Sequence, residues 1–195
     1  MRSLKNFALS QVLDGHGSLS SEGISTPHKR AYAKPEKKTT EARGDVHWFT
    51  AYALNADGNA TVTTNLTTDA IKLAFIGNGT TLSANLARPT WGAGGSTNLS
   101  SFEVGTGSVY IAGGPTLSSV TWAISNNTVA LGAAHVTVAQ DVAGFSTAYW
   151  AVGYDNTQNS KDALFFVDLG GPVGISAGAL TITWSGNIVV NRVIS

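Results

Sequence analysis

The four histidines are the first candidates for chemistry, because imidazole is a common metal ligand and the usual acid–base group near neutral pH. No two of them stand at i, i+4, and none has a carboxylate at a spacing typical of a metal site. The sequence therefore predicts no metal site. His135 precedes an alternating segment and is interpreted as a half-exposed strand residue. The other three are His16, His28 and His47.

Side-chain oxygens are concentrated in one short stretch, which contains Asp155, Asn156 and Asp162. Carboxylate and amide oxygens are the ligands that calcium prefers. The spacing matches no calcium-loop pattern, however, and Asp and Asn are also ordinary turn residues. We favour the turn interpretation and keep a bound ion as the alternative.

Catalytic motifs are not found. Acid–base hydrolysis of a glycan needs two opposed carboxylates, and the sequence cannot place any two of the seven acids after residue 45 face to face. No Gly-x-Ser-x-Gly elbow occurs, and the glycine-rich stretches at 92–95 and 105–107 do not open a helix as a phosphate-binding loop would. The sequence predicts no catalytic residues and no cofactor, and the chain is expected not to be an enzyme.

One glycine-rich loop carries two side chains that could contact a ligand or an oligomer partner, namely Arg88 and Trp91. An indole can stack on a sugar ring. The alternative, which we favour, is that Trp91 fills a hydrophobic gap or an oligomer contact.

The elements that would position these residues are predicted to be strands. Three segments rich in aromatic and β-branched residues lie at 147–154, 163–168 and 179–184, and turn-forming runs separate them. Period-two alternation predicts that each outer segment has one apolar face. These faces consist of Ala148, Trp150, Val152 and Tyr154 in the first segment, and of Leu180, Ile182 and Trp184 in the last.

Further short segments complete an all-β pattern. Residues 46–54 could form a strand or a short helix, and residues 69–76 form a strand with Ile71, Leu73 and Phe75 on one side. A long irregular stretch follows at 85–103. Additional strands are predicted at 108–112, 118–124, 133–138 and 187–194. Many short strands separated by glycine, without a convincing helix after residue 55, predict an antiparallel β-sandwich or barrel.

Charge divides the chain into an arm and a domain. Residues 1–45 carry net charge +3 and residues 46–195 carry −3, although the whole chain is neutral. In the arm, apolar residues at helical spacing predict a short helix at 3–13. Pro27 and Pro35 interrupt regular structure beyond it. Either a flexible tail or an extended arm that becomes ordered on a partner fits this pattern. Nucleic-acid binding is disfavoured because aromatic residues do not alternate with the basic ones.

Composition excludes several classes of protein. Charged residues are only 12% of the chain, about half the usual share. Cysteine is absent, which excludes disulfides and thiolate metal sites. No apolar run approaches the ~20 residues of a membrane span, and residues 1–10 lack the apolar core of a secretion signal. The chain is expected to have no membrane partner.

The order of motifs in the domain resembles a known family. The motifs are Asp-Ala-Ile-Lys-Leu-Ala-Phe-Ile at 69–76, Tyr-Ile-Ala-Gly-Gly-Pro-Thr-Leu at 110–117, Val-Thr-Trp at 120–122, Tyr-Trp-Ala-Val-Gly-Tyr-Asp-Asn at 149–156, Leu-Phe-Phe-Val-Asp-Leu-Gly-Gly at 164–171, and Ile-Ser-Ala-Gly-Ala-Leu-Thr-Ile-Thr-Trp at 175–184. This order is similar to that of small β-sandwich virion proteins of tailed bacteriophages, among them capsid decoration ("cement") proteins of jelly-roll type. The resemblance covers residues 69–184 and, more loosely, the last strand. The arm is a departure, because family members are often little more than the domain.

The resemblance implies a jelly-roll sandwich, a structural role on the virion and a homo-oligomer, either a trimer or a dimer. The protein would be made in the host cytoplasm without a secretion signal and would reside on the capsid surface. The major capsid protein is the expected partner, contacted by the arm. The alternative is a receptor- or carbohydrate-binding head of a tail fibre. The arm residues predicted to bind the capsid are Arg2, Lys5, Phe7, Lys29, Arg30, Lys34, Lys37, Lys38 and Arg43.

Overall fold

Strands account for nearly all of the regular structure. The computed structural model describes residues 44–52, 64–92, 96–125, 128–184 and 188–190. These residues are mostly strand with almost no helix, so the predicted all-β class is confirmed. Residues 1–43 of the predicted arm, with the helix at 3–13, lie outside the described residues.

The strands are short, and they are separated by turns and bends rather than by helices. Residues 46–54 were expected to form a strand or a helix; within the described part, a strand is followed by a helical turn at 50–52. A 3-10 helix, Leu99–Phe102, follows the fourth strand. The strands are β1 (Val46–Trp48), β2 (Ile71–Ile76), β3 (Pro89–Thr90), β4 (Thr97–Asn98), β5 (Thr121–Ser125), β6 (Thr128–Gly132), β7 (Val136–Val138), β8 (Ala148–Asp155), β9 (Ala163–Val173), β10 (Leu180–Ile182) and β11 (Ile188–Val190).

A four-stranded antiparallel sheet of order β1-β9-β8-β2 forms the centre of the described structure. Strand β10 pairs with β7, and β11-β6-β5 form a third sheet, again antiparallel. The two-residue strands β3 and β4 are parallel. Among the antiparallel pairs of the described residues, only β5–β6 and β8–β9 are joined by a short connection, and a short connection favours antiparallel pairing.

Both faces of the central sheet are buried, and each face packs against a different cluster of residues. One face carries Ile71, Leu73 and Phe75 of β2, as the alternation predicts, and it packs in a cluster with residues of β7 and β10. Leu180, Ile182 and Trp184 join this cluster together, which confirms their predicted common face. The other face, with Ala74 and Ile76, belongs to a second cluster.

The second face is covered by a segment that includes most of the stretch predicted to be irregular, 85–103. We call residues 77–92 and 96–102 the Trp91 segment. It contributes buried Leu82, Trp91 and Leu99 to the second cluster, with Leu86 and Phe102 packed at the margin. Although little of this segment is regular, it shields a whole sheet face from water.

One predicted strand face is wrong. Trp150, Val152 and Tyr154 pack with the second cluster, but Ala148 lies in the first. The pairing of β8 with β9 changes register between Ala148 and Trp150. Between these two pairs β8 advances by two residues and β9 by five, so the ladder is interrupted and the alternation of faces does not continue across it.

The strand predicted at 108–112 is also wrong, because these residues form bends and a turn and pair with no strand. Their backbone makes local bonds instead of ladder bonds: Gly107 N–H donates to the Tyr110 carbonyl, and Gly114 N–H to the Ile111 carbonyl. We call residues 105–117 the Tyr110 loop. In contrast, β9 runs to Val173, beyond the predicted end at 168.

Candidate functional site

The side chains predicted to bind the capsid, from Arg2 to Arg43, lie outside the described residues. The description begins at Gly44, whose backbone N–H donates to the Asp168 carbonyl over 2.7 Å. The Asp168 N–H donates in turn to the Asp45 carbonyl over 3.3 Å. The described chain therefore starts hydrogen-bonded to β9.

The Tyr110 loop presents large apolar side chains to solvent. Val109 is 38% exposed and Ile111 is 63% exposed. Val142, which lies on a second loop that contacts the Tyr110 loop, is 83% exposed. The two loops are joined by a hydrogen bond from Ser108 Oγ to Asp141 Oδ2 at 3.1 Å. Three of the four exposed large apolar side chains among the described residues thus lie on two touching loops.

Between Val109 and Ile111, Tyr110 points inward and holds the loop. It is 1% exposed, and its ring lies against Phe75 and edge-on to Phe145. Its hydroxyl donates to Glu103 Oε1 over 2.9 Å and accepts from the Phe75 backbone N–H over 2.9 Å. Burial raises the pKa of the Tyr110 phenol far above its ordinary value, and the nearby Glu103 charge adds to the rise. The ring and the phenol therefore fix this loop to β2.

The second half of the loop is held as firmly. The Gly113 N–H donates to Glu103 Oε1 over 2.6 Å, and its carbonyl accepts from the Tyr154 hydroxyl over 3.0 Å. The Leu73 N–H donates to the Pro115 carbonyl over 2.9 Å, which joins the loop to the free edge of β2. Anchors on both sides mean that Val109 and Ile111 are displayed by an ordered backbone.

An ordered loop with outward apolar side chains is suited to binding another protein. Exposed apolar side chains that are grouped on neighbouring loops are a feature of interaction sites. Because the loop is already fixed, little conformational entropy is lost when a partner covers it. We take the Tyr110 loop and Val142 as the candidate functional site.

Trp91, predicted as a ligand or interface residue, is 5% exposed. Its indole stacks on the Tyr154 ring, with centroids 5.0 Å apart and planes 14° from parallel. The Trp91 backbone N–H donates to the Lys161 carbonyl over 2.8 Å. One indole face is therefore occupied by Tyr154, so in this conformation a sugar could not stack on that face. This packing is what the gap-filling alternative predicts.

Arg88, the second residue of that prediction, lies on the same segment with its side chain 46% exposed. Its Nε is 3.7 Å from Asp162 Oδ1, and the carboxylate is almost buried. The φ of Arg88 is 36°, in the region that L-residues rarely adopt. The ion pair joins the Trp91 segment to the β8–β9 turn. Arg88 and Trp91 thus contact that turn rather than each other.

The acids of the β8–β9 turn organise the turn itself. Asp155 is fully buried, and its Oδ1 accepts from the Thr157 N–H over 2.8 Å and from the Gln158 N–H over 3.4 Å. Asp162 Oδ2 accepts from Ser160 Oγ over 2.8 Å. These are the bonds expected of turn residues. Burial raises the pKa of Asp155, and the charge of Asp69 adds to the rise.

Metal-ligand clusters are absent from the part of the chain that the structure describes: it holds no group of three or more His, Asp or Glu residues arranged for a metal ion. His135 is exposed beside β7, and its Nδ1 accepts from the Trp184 backbone N–H over 3.2 Å. His47 stacks on Phe166 within the central sheet. His16 and His28 lie outside the described residues.

A groove of about 180 Å³ runs between the far end of β9 and β10. Its wall includes Gly44, Leu169, Val173 and Ile182, and its one titratable side chain among the described residues is Asp168. One carboxylate without a facing partner does not make an acid–base pair.

Tyr110 is the residue that sequence reasoning missed, since it was placed in a strand. The available signal was the glycines on either side, at 105, 107, 113 and 114, which are more typical of a loop than of a strand interior. No helix in the described ranges has the length and apolar character needed to cross a bilayer.

Comparison of the chain with protein-family models, with curated proteins and with solved structures finds no match.

Proposed function

We propose that this chain is a structural virion protein of a tailed bacteriophage that decorates and stabilises the capsid shell. Its body would be a homo-oligomeric sandwich of jelly-roll type, and residues 1–45 would be the arm that contacts the major capsid protein. The observation that carries the proposal is the Tyr110 loop, which is anchored on both sides and yet exposes Val109 and Ile111 beside Val142.

Decoration requires many weak contacts rather than a reaction centre. A preordered apolar loop supplies such a contact at low entropic cost. A basic arm would add contacts that become ordered together on the shell, at the cost of fixing its backbone. The loop would therefore bind the part of the shell that lies next to the domain, and the arm would reach neighbouring subunits.

Deleting residues 2–43 tests the role of the arm. The deletion stops just before Gly44, so it keeps the hydrogen bonds between Gly44, Asp45 and Asp168. The truncated protein should fold, as judged by circular dichroism, and should no longer add to particles that lack the protein. Unchanged occupancy on particles would show that the arm is not the tether.

Location and copy number on purified particles test the function itself. Gold-labelled antibody should mark the whole shell, and quantitative mass spectrometry should find many copies for each particle. Label restricted to the tail tip, with few copies, would favour the receptor- or carbohydrate-binding head instead. Absence from particles would overturn both.

A further inference from the structure

A second polar feature lies against the Tyr110 loop, where three donor groups meet beside Gly113. A Cβ atom added to Gly113 would be 2.7 Å from the Tyr154 hydroxyl, 3.6 Å from Lys72 Nζ and 3.8 Å from Trp91 Nε1. All three groups therefore lie around the side of Gly113 on which other residues carry a Cβ atom. We call this place the Gly113 niche.

Each donor is held by its own element. Lys72 and Tyr154 are direct cross-strand neighbours on β2 and β8, so their side chains lie on the same face of the sheet. Trp91 is fixed by its stacking on Tyr154. Gly113 is fixed by hydrogen bonds from its N–H to Glu103 and from the Tyr154 hydroxyl to its carbonyl. Apart from the Lys72 ammonium, the groups of the niche are thus held in place before any partner binds.

Two of the donors are not used by the described structure. The ion pair found among the described residues joins Arg88 to Asp162. No carboxylate of the described residues lies within salt-bridge distance of Lys72 Nζ. Trp91 Nε1 likewise donates to no described residue, whereas Trp184 Nε1 bonds to the Ala134 carbonyl. A half-buried ammonium beside an unused indole N–H favours an acceptor that carries negative charge.

Glu103 does not fill this role. Its Oε1 already accepts from the Tyr110 hydroxyl and from the Gly113 N–H. Its charge does reach the niche, because it contributes, after burial, to raising the pKa of Tyr154 to about 12. At neutral pH the Tyr154 phenol therefore stays protonated and keeps its hydrogen bond to Gly113, so the niche retains its shape.

We infer that the Gly113 niche binds a carboxylate, with Lys72 Nζ and Trp91 Nε1 as the donors, and that the carboxylate is an acidic side chain of the partner protein that covers the Tyr110 loop. Ile111 is two residues from Gly113, so one partner surface can cover the apolar side chain and reach the niche. The choice of a protein carboxylate rests on the proposed function. The alternative source, an acidic sugar, is an outcome of the test.

The test is a titration of the ¹⁵N-labelled full chain with sodium acetate, followed by NMR of the indole N–H signals. The chain has five tryptophans, and Trp91→Phe identifies the signal of interest by its loss. We expect a saturable shift of the Trp91 signal with acetate and none with sodium chloride at equal ionic strength. Lys72→Gln should weaken acetate binding about tenfold. Asn159→Asp, which changes the net charge by the same amount at an exposed position of the β8–β9 turn, should leave it unchanged.

Three results would overturn the inference. No saturable shift with acetate excludes the niche as a carboxylate site. Equal weakening by Lys72→Gln and Asn159→Asp reduces it to a general charge effect. The site would be assigned to an acidic sugar if glucuronate bound more than tenfold more tightly than acetate and if glucose alone also bound. Since the titration uses the isolated chain, its failure leaves the capsid proposal standing, and absence of the protein from particles leaves a measured carboxylate site standing.

Discussion

The Tyr110 loop and the Trp91 segment both bury one large aromatic residue, but they treat their other apolar side chains in opposite ways. The Trp91 segment directs Leu82 and Leu99 inward with Trp91, and covers one face of the central sheet. The Tyr110 loop directs Tyr110 inward and turns Val109 and Ile111 outward. The Trp91 segment therefore completes the core of its own domain. The Tyr110 loop is held in an arrangement that suits contact with another molecule.

The comparison also shows why irregular structure can be as firmly held as strands. Tyr110 and Tyr154 each carry a hydroxyl that bonds to the loop or to its support, and both lie against other rings. Buried polar groups that are fully satisfied fix a single arrangement. The predictions below test this contrast, in order of decreasing size.

Trp91→Ala should lower the free energy of unfolding by about 3–5 kcal/mol, because it removes a buried ring that stacks on Tyr154 and leaves a cavity. Urea denaturation monitored by fluorescence measures the loss. Ile111→Ala on the other loop is the matched control and should cost about 1 kcal/mol or less, since its side chain is 63% exposed. Similar costs for the two variants would mean that the contrast between the loops is wrong.

Gly114→Ala should destabilise the protein by about 3 kcal/mol. A Cβ atom there would lie 2.0 Å from the Leu73 carbonyl oxygen, and φ is +73°, so both space and backbone oppose the substitution. Gly92→Ala in the Trp91 segment is the control, with φ +123° but nothing within 4 Å of the added atom. It should cost about 1–2 kcal/mol. Thermal denaturation measures the stability loss of each variant. A larger loss for Gly92→Ala than for Gly114→Ala would refute close packing of the Tyr110 loop on β2.

Tyr110→Phe should cost about 1–3 kcal/mol, because the buried Phe75 N–H loses its acceptor and Glu103 loses a donor. Tyr154→Phe removes one bond, to the Gly113 carbonyl, and should cost about 1 kcal/mol. Chemical denaturation compares the two. Equal or reversed costs would show that the phenol of Tyr110 does not hold its loop.

Alkaline pH should weaken the protein through the same phenols. Burial raises the pKa of Tyr154 from its ordinary value of 10 to about 12, and the charge of Glu103 adds to the rise. Below pH 10 both the folded and the unfolded states keep the proton. Between pH 10 and pH 12 the unfolded state loses it first, so stability falls as pH rises. Melting temperatures from pH 9 to pH 12 should show this fall, and Tyr154→Phe should show a smaller one; identical profiles would contradict it.

The sequence predicted the parts of the fold in which alternation extends over several residues. The face of β2 with Ile71, Leu73 and Phe75 is an example, and so is the common face of Leu180 and Ile182. It failed at Ala148, because the register change between β8 and β9 leaves no mark on the apolar pattern. It also failed at 108–112, where alternating apolar residues belong to a loop that buries one ring and exposes its neighbours.

The contacts of the residues predicted to bind a ligand or partner were harder to predict than the fold. Trp91 and Arg88 were identified from residue type, but the stacking on Tyr154 and the pairing with Asp162 depend on contacts between segments distant in sequence. The convergence of Lys72, Trp91 and Gly113 depends on the same long-range packing. Residue type suggests what a side chain can do, whereas tertiary contacts decide whether it is free to do it.

The most direct test of the proposed role of the Tyr110 loop is binding of purified Ile111→Asp protein to particles that lack the native chain. The substitution places a charge on an exposed apolar residue of the Tyr110 loop, and Asn159→Asp, at an exposed residue of the β8–β9 turn, adds the same charge elsewhere. Both variants should fold with unchanged circular dichroism. We predict that Ile111→Asp loses occupancy on the particles while Asn159→Asp keeps it. Full occupancy by Ile111→Asp would contradict the assignment of the Tyr110 loop as the partner interface.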